Sequence, residues 1–256
     1  MGYGLDPRPK IRKLREDLPE RATLQAAARR NNPPKLSTCP LTSGTPGSCD
    51  QMVAMGLYQE YVVPHLVNLA MRNRLLAPYR ERVVGRAEGR VLEIGVGSGL
   101  NLPLYTDRVT EVFGLEPNAK LLNMASQKSR IVSTKLIEGS AESIPLESSS
   151  VDTVVTTWTL CTIPDIGIGL AEMRRVLKPT GQLLLVEHGL APEKNVRKWQ
   201  HRLTPMWRRI AGGCHLDRPI ADLVEAAGFR MKTLDTGYMK GPRPMTFMYE
   251  GVATPA

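Results

Sequence analysis

The sequence is short of the features that mark several protein classes. Only four of its 256 residues are cysteine, Cys39, Cys49, Cys161 and Cys214, and none stands in the paired short spacing of a zinc or redox motif. That excludes a disulfide-stapled scaffold and gives no metal signature, so no metal is expected. Free thiols in a reducing, cytoplasmic setting are the plain expectation. No run of about 18 apolar residues occurs, which argues against a membrane-spanning helix. The first 30 residues carry too much charge for a secretory signal. The chain is therefore expected to be soluble, or peripheral to a membrane at most.

Acid is scarcer than base, 25 Asp/Glu against 34 Lys/Arg, for a net charge of +9. The excess is local. Residues 1–51 hold nine basic and five acidic side chains, residues 190–219 hold seven and two, and the remainder is balanced. No basic stripe runs through the main body of the chain, so no nucleic-acid partner is expected.

Seven prolines and a Ser/Thr/Gly-rich stretch punctuate residues 1–51. Such a segment buries too little apolar surface to offset its chain entropy and is expected to be a disordered extension. It could also precede the functional start, at Met52 or Met55. Residues 52–256 can bury one substantial core.

From Leu57 to Ala70 apolar residues recur at spacings of three and four, one face of a helix that Pro64 could bend. A second helical stretch covers Leu75–Val84. Strand-like segments then follow at Val91–Val96, Glu111–Glu116, Lys135–Glu138, Asp152–Thr157, Leu183–Glu187, Met231–Leu234 and Thr246–Gly251. Helical patterns at Ala119–Gln127, Ile166–Leu177 and Ile220–Ala227 separate several of them. This alternation predicts an α/β fold with a doubly wound, mostly parallel seven-stranded sheet. Gly237–Pro244 is too short and turn-rich for a helix, so the last strand is expected to run antiparallel.

In such sheets ligands bind beyond the carboxyl ends of the strands. There the sequence reads Glu93-Ile94-Gly95-Val96-Gly97-Ser98-Gly99. Gly95 and Gly97 let the backbone pass close to a ligand, and Gly99 lets the chain turn into a following helix. A dinucleotide fingerprint would place glycine at the sixth position, where this chain has Leu100. An acid at Glu93 would repel a pyrophosphate but suits a ligand bearing an ammonium group, such as S-adenosylmethionine. Glu116, followed by Pro117 at the tip of the next strand, is placed to accept hydrogen bonds from ribose hydroxyls.

Five segments carry a family likeness: Glu93–Gly99, Glu116-Pro117, Gly139–Pro145, Ser150-Val151-Asp152 and Leu177–Gln182. With these in register, residues 55–256 resemble class I S-adenosylmethionine-dependent methyltransferases of the group containing the ubiquinone/menaquinone C-methyltransferases. The resemblance implies a Rossmann-like methyltransferase fold, with Glu93 at the methionyl amino group, Gly95 and Gly97 beneath the cofactor, and Glu116 at the ribose. It places Ser140, Ala141 and Glu142 near the adenine, although many relatives have an acid where this chain has Ser140. Thr157 and Trp158 would flank the methionyl end. Trp158–Cys161 and Gly213–Leu216 further resemble segments of the methyltransferase-like seven group of small-molecule thiol methyltransferases.

Residues 190–219 form an insertion where this fold builds its acceptor pocket. Asn195–Gly213 interleaves five basic residues with Trp199, Trp207 and three aliphatic side chains on what reads as a broken helix. That pattern fits a lid, with Trp199 and Trp207 as substrate contacts and a membrane surface as an alternative partner. His188 and His215 are the candidates for a general base. Cys161 and Cys214 read as small buried apolar residues. The function expected is methyl transfer from S-adenosylmethionine to a small apolar, thiol or phenol-like acceptor. Phospholipid methylation, or a cofactor-binding interaction protein without catalysis, are the alternatives. Nothing in the sequence indicates an oligomeric state.

Overall fold

A computed structural model describes residues 58–128 and 131–256. The extension expected over residues 1–51 lies outside the described residues, as does Leu57. The first described element is one π-helical turn, Tyr58–Val62, running into helix α1, Val63–Met71. Pro64 stands just past the junction of the two. The proline falls in the first turn of the α-helical part, where a missing N–H removes no hydrogen bond.

Helix α2 (Ala77–Val84) leads into strand β1 (Gly89–Ile94). There follow β2 (Val109–Glu116), α3 (Ala119–Ser126), β3 (Thr134–Glu138), β4 (Val151–Thr157), α4 (Ile166–Val176) and β5 (Leu177–His188). Helix α5 (Lys194–Ile210), α6 (Ile220–Ala226), β6 (Phe229–Tyr238), the single turn α7 (Arg243–Thr246) and β7 (Phe247–Pro255) complete the order. The sheet has seven strands in the order β3-β2-β1-β4-β5-β7-β6. Only β7 is reversed, pairing antiparallel with both β5 and β6. The chain order changes direction between β1 and β4, and the ligand crevice of a doubly wound sheet lies at that point.

The central strands are covered on both faces, which explains their near-continuous Val/Leu/Ile runs. Leu92, Ile94, Phe113, Leu115, Leu183 and Leu185 face the layer of α4 and α6. Their neighbours Val91, Val112, Leu184 and Val186 face the layer that includes Val83, Val84 and Ala125. Alternation of period two thus sorts one apolar run into two cores.

Three local differences from the sequence reading have physical causes. No α-helix follows the glycine turn; a single 3-10 turn, Leu102–Leu104, bridges to β2, because Pro103 and the inward use of Asn101 and Tyr105 stop a helix there. Strand β6 is ten residues long rather than four, since it is a sheet edge whose mostly exposed side chains leave no apolar pattern. Helix α5 is continuous over 17 residues despite Pro205. Buried Gln200 donates to the Gly189 and Pro244 carbonyls and accepts from the Ala191 amide, and Thr204 donates to the Gln200 carbonyl. These bonds anchor the helix just ahead of the proline.

Leu170 on α4 is fully buried in the larger core. Leu170→Ala should lower unfolding free energy by about 2–5 kcal/mol, read as a lower urea midpoint with an unchanged slope.

Candidate active site

The carboxyl ends of β1, β2 and β4 converge on a cavity of about 390 Å³, within the size range of small-ligand sites. Its walls include Glu93, the glycine turn, Glu116 to Asn118, Gly139 to Ala141, and Thr157 to Thr159. Val63, Val67 and Met71 of α1 and Ala211-Gly212 beyond α5 close another side.

Glu93, the fifth residue of β1, is 1% exposed. Its Oε1 accepts from Asn101 Nδ2 at 2.8 Å and its Oε2 from the Tyr105 hydroxyl at 2.8 Å. The same Asn101 amide donates to Thr157 Oγ1 at 3.0 Å, and Asn101 Oδ1 accepts from Arg80 at 2.9 Å. Four segments are thereby knotted around one carboxyl group. Burial raises the pKa of Glu93 from its ordinary 4.5 to about 7, against the pull of Tyr105, Asn101 and Arg80. Each carboxylate oxygen retains a lone pair beyond the bond it accepts here, so the group can still bind a cationic ligand.

Gly95, Gly97 and Gly99 all have positive φ, at 66°, 55° and 77°. A Cβ on Gly95 would stand 2.5 Å from Thr159 Oγ1, so the close approach of the two loops admits glycine alone. Glu116 locks the turn in place: Oε2 accepts from the Gly97 amide and Oε1 from the Asn118 amide, both at 3.0 Å. Burial raises the Glu116 pKa, while these two backbone donors oppose the shift. Asn118 in turn caps α3, accepting from the amides of Lys120 and Leu121. Ser98 donates to Asn68 Oδ1 at 2.7 Å, tying α1 to the turn.

The floor after β4 is held from below. Glu187 Oε1 accepts from the amides of Thr159 and Leu160, and the Arg218 guanidinium donates to the carbonyls of Leu160 and Ile163. Trp158 sits at φ 54°, a left-handed conformation costly for a bulky residue. The Arg80 guanidinium 4.8 Å over its indole ring and the Tyr79 ring edge retain it there.

Of the residues expected to bind cofactor, Glu93, Gly95, Gly97, Glu116, Pro117, Ser140, Ala141, Thr157 and Trp158 all line the cavity. Glu142 does not. Its carboxylate accepts from Ser140 Oγ and the Asp165 amide, bracing the two loops from behind. Neither His188 nor His215 borders the cavity; His188 Nε2 lies 3.1 Å from Cys214 Sγ. Burial and the nearby Arg218 and Arg208 charges depress the His215 pKa to about 4. Trp199 is 55% exposed on the outer side of α5, and half-buried Trp207 turns towards Cys214. Neither indole reaches the cavity wall. Arg80, Asn101 and Tyr105 escaped sequence reasoning, because their role depends on meeting Glu93 rather than on any periodic pattern. A polar Asn101 between Leu100 and Leu102, just beyond the glycines, was the available signal.

Residues 92–185 match the family described as "Methyltransferase domain". Over this segment the chain is similar to methyltransferase domains. The chain is 34% identical over 148 residues to the thiol S-methyltransferase TMT1B of Rattus norvegicus, covering 56% of this chain and 60% of that protein. The uncharacterized methyltransferase YcgJ of Bacillus subtilis is 33% identical over 43% of this chain and 45% of its own length. A crystal structure of YcgJ aligns with a TM-score of 0.52 at 19% identity, over 70% of this chain and 95% of that one, a likeness of fold. The phosphatidylethanolamine N-methyltransferase of Cereibacter sphaeroides is 34% identical over 39% of this chain and 51% of its length. The chain thus spans about half to three fifths of the curated relatives it matches. S-adenosylmethionine is the cofactor of this domain class, and the cavity fits it: two buried carboxylates flank a glycine cradle that a Cβ would fill.

Folded Glu93 holds its proton more tightly than the unfolded chain does. Its contribution therefore destabilises the domain as pH rises from about 4.5 to about 7, by on the order of 3 kcal/mol, and is level above that. Glu93→Gln should remove this component, so urea stability measured across that window should fall less with pH than in the parent chain.

Proposed function

We propose that the protein transfers a methyl group from S-adenosylmethionine to a small apolar acceptor, with a thiol as the favoured nucleophile and a phenol next. The observation that carries this reading is the pair of buried carboxylates, Glu93 and Glu116, at neighbouring strand ends with the left-handed glycine turn between them. Glu93 would face the methionyl ammonium, Glu116 the ribose hydroxyls, and Ser140 and Ala141 the adenine. The thiol preference draws on the likeness to the thiol S-methyltransferase of rat.

When bound, the cofactor supplies a methyl group already activated by its sulfonium charge. The chain's own residues then have to orient the acceptor and exclude water. Val63, Val67 and Met71 with Gly212 give an apolar wall for an acceptor entering between α1 and the exit of α5. Because neither candidate histidine borders the cavity, the acceptor loses its proton to water before transfer. With the cofactor held by Glu93, Glu116, Ser140 and Ala141, the methyl group it would supply would pass to the acceptor sulfur, the sulfonium being discharged to a thioether.

A panel of thiols, phenols, amines and phospholipids, assayed for release of S-adenosylhomocysteine, tests the reading. Small apolar thiols should react best, with a rate that rises through the thiol pKa near about 8.5. Glu116→Ala should weaken S-adenosylmethionine binding by about ten- to a hundredfold. Binding unchanged by that substitution, or turnover confined to amines, would defeat the proposal.

A second reading has its own support. Tyr61, Leu66 and Leu69 on the first helical segment and Trp199, Met206 and Ile210 on α5 are exposed apolar side chains. The Tyr58 hydroxyl donates to the Ile210 carbonyl, so the two segments meet. With Lys198 and Arg202 beside them on α5, these side chains suit the surface of an anionic membrane and lipid-borne acceptors. Among the described residues no helix is long and apolar enough to cross a membrane. Co-sedimentation with anionic vesicles at low salt, lost in a Trp199→Ala/Met206→Ala variant, is the expected result of this reading; no binding would sink it.

A further inference from the structure

Three soft or borderline donors converge beside the cavity without taking part in the hydrogen-bond scheme that builds it. Cys161 lies in the turn after β4, His188 is the last residue of β5, and Cys214 follows the exit of α5. Their ligand atoms all lie within 4.8 Å of one another, with His188 Nε2 3.1 Å from Cys214 Sγ. Cys161 is 2% exposed, and Cys214 and His188 are half-buried. The His188 Nδ1 atom, the other ring nitrogen, is buried with no hydrogen-bond partner.

We infer that Cys161, Cys214 and His188 form a binding site for a thiophilic cation, zinc(II) foremost. Two thiolates and an imidazole are a ligand set that zinc and copper(I) select over hard cations. Zinc–sulfur bonds of about 2.3 Å and zinc–nitrogen bonds of about 2.0–2.1 Å set tetrahedral donor separations of about 3.5–3.8 Å. The triangle of donors reaches those separations by small side-chain rotations. Binding displaces one proton from each thiol, and the imidazole ligates through Nε2 while Nδ1 keeps the ring proton. The fourth position falls to water or to an external thiol.

The three ligands come from segments already joined by backbone hydrogen bonds, such as that from the His215 amide to the Cys161 carbonyl, and by the side-chain bonds of Glu187 and Arg218. Thr159 and Thr162 on one of these segments and Gly212 on another line the cavity. A cation here therefore fastens the exit of α5 to the cavity floor. The inference stands on the donor geometry and does not depend on methyl transfer.

The test uses the full chain, stripped with a chelator under reductant and titrated with zinc against a chromophoric competitor. One zinc per chain is expected. Cys214→Ser and His188→Gln should each weaken uptake by at least about tenfold, whereas a Cys39→Ser/Cys49→Ser double variant should keep it. Cobalt(II) in place of zinc should give a thiolate charge-transfer band that Cys214→Ser diminishes. Far-ultraviolet circular dichroism and thermal melting establish that each variant folds before it is titrated. No uptake by the parent chain, uptake indifferent to Cys214 and His188, or uptake lost with Cys39 and Cys49 would each overturn the assignment.

Discussion

A carboxyl group buried at the end of the central strand is the constraint around which the crevice is organised. Glu93 cannot be left without partners in a medium of low dielectric. It obtains them from Asn101 and Tyr105, and through Asn101 from Thr157 and Arg80. Arg80 in turn donates to the Met71 carbonyl at the end of α1 and stacks over Trp158. One charge thus sets the path of the chain after the glycine turn, the seat of α2 and the conformation of the β4 exit. Because burial opposes ionisation, the site is charged most readily when a cation arrives to share it.

The glycine turn and the β4 exit are two loops that pass within contact of each other, and each is fixed by an acid from the next strand. Glu116 on β2 gathers the Gly97 and Asn118 amides, while Glu187 on β5 gathers those of Thr159 and Leu160. Carboxylates that accept backbone N–H groups define loop geometry more tightly than apolar packing can. The cavity owes its shape to these bonds, and the apolar cores on either side of the sheet supply the rigid frame that aligns the strand ends.

Much of this frame was legible in the sequence. The runs Val91–Ile94, Val112–Leu115 and Leu183–Val186 mark strands buried on both faces, and the helical spacings between them imply crossovers. Strand β5 shows where such reading stops. The pairing jumps from Val151 with Leu177 to Thr153 with Gln182, so Lys178–Gly181 bulges out where the sequence suggests the end of a helix followed by a loop. Edge strand β6 is equally faint, since its polar side chains face solvent and only its backbone pairing makes it a strand. Pro205 suggests a break in α5, but the buried amide of Gln200 supplies bonds that no local propensity could register.

The sequence by itself determined the sheet, its single reversed strand and the placing of Glu93, Glu116 and the glycines at one end of it. Hydrophobic period and chain order are local quantities, and the carboxyl ends of parallel strands meet by topology. Only the tertiary structure decided which groups serve those acids, that Glu142, Trp199 and Trp207 stand away from the cavity, and that Cys161, His188 and Cys214 meet. The last three lie more than 25 residues apart in succession along the chain. Contacts of that kind follow from how loops close over strand ends, a global outcome of packing that leaves no periodic trace in the chain.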